Sequence, residues 1–577
     1  MTNISCCSDK DHSGNPFASA GFWGAAVFGA LLSLVVTGYA FPTSNNLFHL
    51  PIVERLYDRP EFAGDAFIQS LRYFSSGFWM ILAGSAQWIA PEKAFFALFC
   101  LSRLLSFAGF LACADYFGVR DIRQRLLFSG VIAVTPLLQD CSFAGGGGLF
   151  INYFTHSEIC NGLFLLAVWA ALRGRFTLML ALVGVTFFVN AFFGVWLGFV
   201  AACVMGYEFF AGRLGLRQML ASAGVGLLVI VACAAPVIVN VMSNPDFGKP
   251  VDFNFVEFLK SYYPYHFLIN TIDFKQIVVL AGVLAICVLS LLWLRDPDRR
   301  MTAPLAACVL LYGIGVGLPW ATHAPAALNL HLLRSGTLIH LLAALLLSVV
   351  IVRWWFGPDN RQALAAAGLM AAMAASLLVD MTASRALADM VLLAVVAVKG
   401  GAVSPPRKIA ARLAPHRRAL ALGALSLAVL LSAVAVHLRE KAMAAEQAWR
   451  SEWARVADWA GRETKPGAIF MPPLMAASDP KSVRQDPAPY FTNTAFETLS
   501  HRSIWVDWKR GAAVLWRPSY YETWNARMAE AGGLKTLAQE YGYARAHGIS
   551  YLIATPAAYC EGKSVFRTER LCVVQVD

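Results

Sequence analysis

The sequence is poor in charged residues: only 14% of its 577 residues are Asp, Glu, Lys or Arg, whereas 58% are hydrophobic. A chain of this composition has too little polar surface to fold as a water-soluble globule. The first hydrophobic run, near residues 22–41, is long enough to cross a membrane and is not followed by the small-residue cleavage site of a signal peptide. We therefore expect a membrane protein that retains its first apolar segment as a helix.

Motifs that identify several soluble enzyme classes are also missing. The sequence contains no HExxH, CxxC or GxSxG pattern, which removes the signatures of zinc proteases, redox proteins and hydrolases. The glycine run at 145–148 lacks the Lys-Ser or Lys-Thr ending of a phosphate-binding loop, so we interpret it as a flexible loop. Several of the twelve cysteines lie inside apolar runs, where a thiol behaves as a small hydrophobic group.

The apolar runs predict about thirteen transmembrane helices, because a span needs about 20 mostly apolar residues. The stretch 176–211 can be divided in more than one way. The predicted spans lie near residues 22–41, 94–117, 126–140, 159–172, 176–191, 192–211, 218–241, 276–294, 302–320, 333–352, 362–380, 384–398 and 419–438.

Basic residues are concentrated in alternate connections, at 120–125, 173–175, 213–217, 295–300, 353–361 and 399–418. The intervening connections around 141–158, 190–192 and 320–332 contain no Lys or Arg. Since short cytoplasmic loops are enriched in Lys and Arg, this alternation predicts a cytoplasmic N-terminus and a C-terminus outside the cytosol, in a bacterial inner membrane. The net charge of +11 is then a consequence of topology and does not indicate nucleic-acid binding.

These patterns divide the chain into a cytoplasmic segment at 1–21, a transmembrane domain at 22–438 and a periplasmic domain at 439–577. The transmembrane domain has two long outer loops, 42–93 and 242–275. Within the first loop, residues 66–84 have apolar side chains at helical spacing and predict a helix lying on the membrane surface. An additional span there would place the later basic loops outside, so we reject it.

The periplasmic domain alternates helix and strand patterns and is predicted to be a small soluble α/β domain. We expect helices at 443–462 and across 519–547, and strands within 467–473, 502–508, 549–555 and 571–576. Cys560 and Cys572 flank the turn between the last two predicted strands. In an oxidising compartment this pair is a candidate disulfide.

The first outer loop is rich in polar residues that could carry chemistry. His49, Glu54, Asp58 and Asp65 lie within one short stretch of it. Carboxylates can accept a proton from an attacking hydroxyl or hold a divalent cation, which makes these acidic residues candidates for catalysis or binding. Two other interpretations stay open, since Asp65 could cap the helix that follows it and Asp58 precedes an Arg-Pro turn.

Basic residues on the outer side are rare enough to be informative. Arg334, with His331 nearby, opens the tenth predicted span, and its guanidinium could bind a phosphate through two parallel hydrogen bonds or could simply reach the headgroup region. Lys260 and His266 lie among three tyrosines in the second outer loop, a composition suited to holding a sugar phosphate and equally to anchoring at the interface.

Arg103 lies about nine residues inside the second predicted span. A charge at that depth is expensive unless it is paired, and it marks a functional or ion-paired position. The candidate partners are Glu158, Asp140 and Asp115.

The layout resembles the C-type (GT-C) superfamily of membrane glycosyltransferases. The segments that carry this resemblance are HLPIVERLYDRPEFAGDAF (49–67), YYPYHF (262–267), RSIWVDWK (502–509) and YYETWNARM (520–528). The resemblance implies a polyprenyl-phosphate sugar donor, with an acidic pair in the first outer loop as catalytic base. This sequence has no adjacent acidic pair there, so the resemblance transfers the role to Asp65 or Asp58, with Arg334 and His266 holding the donor phosphate.

Glycosyl transfer at the periplasmic face of the membrane is the function that this resemblance implies. A transporter or flippase would require internal repeats and paired charges at mid-membrane. The sequence displays no convincing repeat, and apart from Arg103 its mid-membrane positions are apolar. A non-catalytic scaffold or lipid-binding member of the same fold is the second alternative, because the acidic pair is missing. The resemblance leaves open whether a divalent cation assists, since the superfamily contains both kinds of enzyme.

Overall fold

The computed structural model describes residues 15–294, 296, 299–378, 417–474, 495–555, 560 and 562–577. Each predicted span within these residues overlaps a helix, although the helix in the span predicted at 126–140 ends at Val134. The span predicted at 384–398 and most of the basic connection after it lie outside the described residues. The bundle consists of Ala20–Thr37, Pro91–Tyr116, Ile122–Val134, His156–Leu172, Phe176–Val189, Ala191–Phe210, Leu216–Met242, Phe274–Leu294, Thr302–Ala321, Gly336–Phe356, Asn360–Ser376 and the beginning of Arg417–Glu463.

Seven helical stretches of the described chain are long and apolar enough to cross a membrane. One of them, Leu216–Met242, has only 17% of its most apolar window buried within the protein and so presents most of its side chains outward. The stretch that ends with Gly336–Phe356 is fully buried in the same measure, which places it at the centre of the bundle. The chain is therefore a polytopic helical membrane protein, as the hydropathy pattern predicts.

Asn190 decides how the ambiguous stretch 176–211 divides. Its backbone leaves the helical region, and its side-chain oxygen accepts a hydrogen bond from the N–H of Phe193 at 3.2 Å. An asparagine in this position ends one helix and caps the next. The two spans Phe176–Val189 and Ala191–Phe210 follow directly from it.

The outer loops are built from short helical pieces. Those of the first loop are Asn46–Val53, Leu56–Asp58, Pro60–Phe62, Ala66–Ser70, Leu71–Tyr73, Gly77–Leu82 and Ser85–Gln87, and those of the second are Phe255–Tyr262, Pro264–Phe267 and Ile269–Thr271. The single surface helix predicted at 66–84 is wrong. The chain becomes extended at Phe74, and Ser76 starts a new helix by accepting a hydrogen bond from the N–H of Trp79 at 3.4 Å.

The C-terminal part forms a five-stranded sheet in the order β2-β1-β3-β5-β4. Strand β1 pairs parallel with β2 and β3, and β5 pairs antiparallel with β3 and β4. The short β4, which is mostly exposed, was not predicted from the sequence. The strands are β1 (Ile469–Met471), β2 (Ser503–Ile504), β3 (Tyr551–Ala554), β4 (Ser564–Arg567) and β5 (Cys572–Gln575), and the accompanying helices are Phe496–Ser500, Lys509–Leu515, Tyr520–Gly532 and Leu537–Ala546.

The long helix Arg417–Glu463 connects the membrane bundle to this sheet without a break. The domain boundary proposed at residue 439 therefore falls inside a helix. A disulfide joins Cys560 to Cys572, the first residue of β5.

One hydrophobic cluster includes buried residues from both outer loops and from the C-terminal part, among them Phe67, Phe258 and Trp524. These regions share a core and form one unit at one end of the membrane bundle, which we name the outer unit after the sidedness predicted from the loop charges.

Candidate functional site: a cationic outer cavity

A cavity of about 350 Å³ lies where the membrane bundle meets the outer unit. Its lining includes two cationic side chains, four imidazoles and several aromatic rings, and none of its described lining residues is Asp or Glu. The cationic and imidazole residues are His49, His156, His266, His331, Arg334 and Lys509. A larger cavity of about 500 Å³ lies between the first and the last helix of the bundle, but Arg450 in its wall is paired with Glu446.

Arg334 reaches the cavity from the short helix Leu332–Ser335, which leads directly into the central helix of the bundle. His331 has a positive φ of 54° and turns the chain just before this helix. Among the described residues, no carboxylate forms a salt bridge with the Arg334 guanidinium. The sequence-predicted cation therefore lines the cavity, and its charge is available to a ligand.

Lys509 reaches the same cavity from the C-terminal part of the chain. It starts the helix Lys509–Leu515, and its backbone N–H donates to Asp507 Oδ1 at 2.7 Å. Its ammonium lies 6.0 Å from the centre of the Phe48 ring. Burial and the positive charge of Arg334 lower the pKa of Lys509 to about 8, although the nearby Asp507 carboxylate acts in the opposite direction. The two cations are thus near enough to repel each other.

The glycine run at 145–148 lies in a loop, as interpreted from the sequence, but it is tightly packed, and three of its four residues line the cavity. A Cβ atom on Gly145 would lie 2.2 Å from the carbonyl oxygen of Leu333, and one on Gly147 would lie 2.1 Å from Thr337 Oγ1. Gly146 has a positive φ of 63° and packs against the His266 ring. Only residues without side chains allow the loop to pack this tightly against the segment that carries Arg334.

The four histidines differ in how their ring nitrogens are used. His266 Nδ1 lies 3.0 Å from the carbonyl oxygen of Gly145. His156 Nδ1 accepts a hydrogen bond from Trp79 Nε1 at 3.0 Å, and its Nε2 lies 3.1 Å from Asn190 Nδ2. His49 stacks on the Trp79 ring with centroids 4.1 Å apart.

Asp65, the leading catalytic candidate from the sequence, is not part of the cavity lining. It caps the helix Ala66–Ser70, with Oδ1 accepting from the N–H of Ile68 at 3.1 Å. Its Oδ2 also lies 3.3 Å from Arg510 Nη1, and the same guanidinium is in contact with Glu497. All three side chains are almost fully buried. Asp65 thus joins the first outer loop to the C-terminal part of the chain.

The other acidic candidates also lie outside the cavity. Asp58 is 44% exposed and pairs with Arg72 at 2.9 Å. Glu54 pairs with Arg59 at 3.9 Å. Both carboxylates therefore belong to ion pairs in the outer unit, and the structure brings neither of them to Arg334.

The remaining basic candidates, Lys260 and Arg103, form ion pairs elsewhere in the protein. Lys260 is 56% exposed and lies 3.7 Å from Glu257, one helical turn away. Arg103 is completely buried, with Nη1 lying 3.4 Å from Glu158 Oε2 and its guanidinium 4.3 Å from the centre of the Phe150 ring. Glu158 is thus the partner among the three that the sequence allowed. Neither Lys260 nor Arg103 lines the cavity.

Of the sequence candidates, the cavity brings together His49, His266, His331 and Arg334. Sequence reasoning missed Lys509, His156 and the glycine run. Lys509 ends the RSIWVDWK segment that carried the family resemblance, but nothing local marks this lysine as a ligand. The glycine run does carry a signal, because four consecutive glycines in an otherwise bulky outer connection indicate a close backbone approach as well as a loop.

Comparison with known proteins gives matches to solved structures. No protein-family model and no curated protein matches the chain. Among solved structures, the chain is similar to ArnT from Cupriavidus metallidurans, both bound to undecaprenyl phosphate and in the apo state. Each comparison has 14% identity and covers 96% of this chain and 97% of the other, with TM-scores of 0.45 for the bound and 0.46 for the apo structure. Likeness at this level leaves the activity to be judged from the residues of the cavity.

Proposed function

We propose that this protein is a C-type membrane glycosyltransferase that transfers a sugar from a polyprenyl-phosphate donor to an acceptor at the outer face of the membrane. The observation that supports the proposal is the pair of cations, Arg334 and Lys509, which face one cavity whose described lining residues include no Asp or Glu. The Asp507 carboxylate offsets part of the Lys509 charge, and no described carboxylate forms a salt bridge with Arg334. Two cations that repel each other in a partly buried site need an anion for compensation.

A phosphate ester fits this site better than a carboxylate does. A guanidinium can bind two phosphate oxygens through parallel hydrogen bonds, and the ammonium, which comes from a different part of the chain, adds a second charge. The cavity also lies at the outer end of the membrane bundle, so a ligand could keep a lipid tail in the bilayer while its phosphate meets the cations. Trp196 and Trp516 in the lining offer flat surfaces on which a sugar ring can pack.

The remaining expectations concern the surroundings of the site. We place the protein in the bacterial inner membrane with its N-terminus in the cytoplasm and its C-terminal domain in the periplasm, on the basis of the loop charges. Its partners are then a membrane lipid and a polyprenyl-phosphate sugar, without nucleic acid. Within the part of the chain that the structure describes, no group of three or more His, Cys, Asp or Glu is placed to hold a metal ion.

Binding of radiolabelled undecaprenyl phosphate to the full protein in lipid nanodiscs tests the anion site. We expect Arg334→Met and Lys509→Met each to weaken binding about 10- to 150-fold, since a hydrogen bond to a charged group contributes about 1.5–3 kcal/mol. Lys260→Met is the matched control, because it removes an exposed lysine that does not line the cavity. Unchanged affinity in both cavity variants would rule out the proposed site.

Transfer itself is tested by incubating the protein with undecaprenyl-phosphate-linked hexoses and bacterial membranes as the acceptor source. Release of undecaprenyl phosphate that depends on Arg334 and Lys509 is the expected result. The second candidate is a lipid-binding scaffold, which is favoured by the lack of a carboxylate among the described lining residues. Tight lipid binding without any transfer would favour that candidate.

A further inference from the structure

The cavity contains a group that can take up a proton although no described carboxylate lines it. His266 lies on the short helix Pro264–Phe267, with Nδ1 3.0 Å from the carbonyl oxygen of Gly145. A carbonyl oxygen can only accept a hydrogen bond, so Nδ1 must carry the hydrogen. In a neutral imidazole the lone pair then resides on Nε2. The glycine run therefore fixes the tautomer of this ring.

Burial and the positive charges around His266 keep the ring neutral before substrate binds. It is faced by Arg334 from the membrane bundle and by Lys509 from the C-terminal part, with His331 also nearby. Burial and the charge of Arg334 lower the pKa of His266 to about 3. At neutral pH the ring is thus unprotonated and ready to accept a hydrogen bond at Nε2.

The other lining histidines are less suited to this role. Both ring nitrogens of His156 already have neighbours at hydrogen-bond distance. His49 is stacked on Trp79, and its Nδ1 is buried without a partner. His331 has a buried Nδ1 without a partner, and its ring packs 4.4 Å from the Phe267 ring between centroids. His266 alone among these four has one nitrogen fixed by a backbone acceptor.

We propose that His266 Nε2 is the general base that removes the proton from the acceptor hydroxyl, an inference that rests on the proposed function. The acceptor oxygen forms a bond to the anomeric carbon as the bond from that carbon to the phosphate oxygen breaks. The bonding electrons leave with the polyprenyl phosphate, and the acceptor proton passes to Nε2. Arg334 and Lys509 hold the departing phosphate throughout.

Charge compensation explains how a ring with a low proton affinity in the empty cavity can act as a base. The donor is a phosphodiester with one negative charge, whereas the departing polyprenyl phosphate is a monoester with up to two. Bound phosphate offsets the charges of Arg334 and Lys509 and, as its own charge grows, stabilises the imidazolium. The proton affinity of His266 therefore increases during the reaction, as the acceptor hydroxyl loses its proton.

The decisive variant is His266→Asn in the full protein. The asparagine amide can replace the Nδ1 hydrogen bond to Gly145 but cannot take up a proton. We expect the kcat for transfer from undecaprenyl-phosphate hexoses to fall about 100- to 10,000-fold, the usual contribution of a positioned base. The affinity of this variant for undecaprenyl phosphate should change by less than about threefold, because the base does not hold the phosphate.

Two further measurements separate a base from a structural residue. Imidazole added to His266→Ala should restore part of the activity, and the restored rate should follow the concentration of neutral imidazole. Diethyl pyrocarbonate, which reacts with unprotonated imidazole nitrogens, should modify His266 in the wild type and do so more slowly with undecaprenyl phosphate bound. His323→Asn, at an exposed histidine outside the cavity lining, is the control variant.

The outcomes distinguish the inference from the function on which it rests. Wild-type transfer together with an unchanged kcat in His266→Asn would overturn the role of His266 and leave the proposed function intact. If that variant lost both lipid binding and kcat, the role of His266 as a base would also be overturned, since His266 would then act in binding. If the wild type transferred no hexose while the cation variants lost lipid binding, the enzymatic function and the base would both fail.

Discussion

Replacing Asp65 by asparagine should loosen the contact between the C-terminal part of the chain and the first outer loop, without acting on chemistry directly. The amide keeps an oxygen that can cap the N–H of Ile68, but the charge that faces Arg510 is lost. Because Glu497 still pairs with this guanidinium, the loss should be one charge-assisted contact, about 1.5–3 kcal/mol. Asp65→Ala removes the cap as well and should cost about 1 kcal/mol more.

Hydrogen exchange localises this effect. Arg510 lies within the helix Lys509–Leu515, whose amides should exchange about 10- to 150-fold faster in Asp65→Asn if local opening is eased by about 1.5–3 kcal/mol. Lipid affinity should fall in parallel, because Lys509 is carried by the same segment. Asp58→Asn is the matched control, since it alters an exposed ion pair of the same loop.

The catalytic role that the family resemblance implies for Asp65 predicts a different pattern. A lost general base would lower kcat about 100- to 10,000-fold while exchange in Lys509–Leu515 stayed the same. That result would refute the anchoring role and restore Asp65 as the reactive carboxylate. Faster exchange with retained kcat at saturating substrate would instead support the anchoring role.

Three other changes have defined outcomes. Gly147→Ala would place a Cβ 2.1 Å from a side-chain oxygen of the central helix and should abolish binding of undecaprenyl phosphate, whereas Gly148→Ala, with no atom nearer than 3.3 Å, should have a much smaller effect in the same assay. Arg103→Met leaves the buried Glu158 unpaired and should lower stability by about 3–5 kcal/mol in thermal unfolding, most of which the double change to Met at both positions should recover. The pKa of Lys509 is lowered to about 8, so lipid-phosphate affinity should decline as the pH rises through that value and the ammonium loses its proton, and Lys509→Arg should remove the decline.

Local patterns in the sequence were sufficient for the helices of the bundle. A span depends on the hydropathy of its own residues, and each predicted span within the described residues contains a helix of the bundle. The ion pairing of Arg103 could also be predicted, because a charge deep in a span has to be paired, whichever part of the sequence supplies the partner. Arg334 was recognisable since the short outer connections at 141–158, 190–192 and 320–332 contain no Lys or Arg. These inferences required no knowledge of the tertiary arrangement.

The role of Asp65 illustrates what local patterns omit. The sequence allowed its role as a helix cap, which the structure contains, but its partner Arg510 lies 445 positions away in the sequence and could not be foreseen. Lys509 was missed for the same reason, because it becomes a candidate ligand only once the fold places it in the same cavity as Arg334. Strand order in the C-terminal sheet, β2-β1-β3-β5-β4, likewise depends on pairing between distant segments. Contacts of this kind are decided by packing, which hydropathy and motif spacing do not encode.

The division of the two cations between separate parts of the chain has a consequence for binding. Arg334 belongs to the membrane bundle, whereas Lys509 belongs to the outer unit, and the cavity exists only where the two meet. A phosphate that contacts both cations therefore binds best when the outer unit is seated, and by linkage its binding favours that seating. The Asp65–Arg510 pair, which holds the segment that carries Lys509, would then influence affinity although neither side chain lines the cavity. Loss of activity on mutating Asp65 thus follows from positioning alone and is not by itself evidence for a catalytic carboxylate.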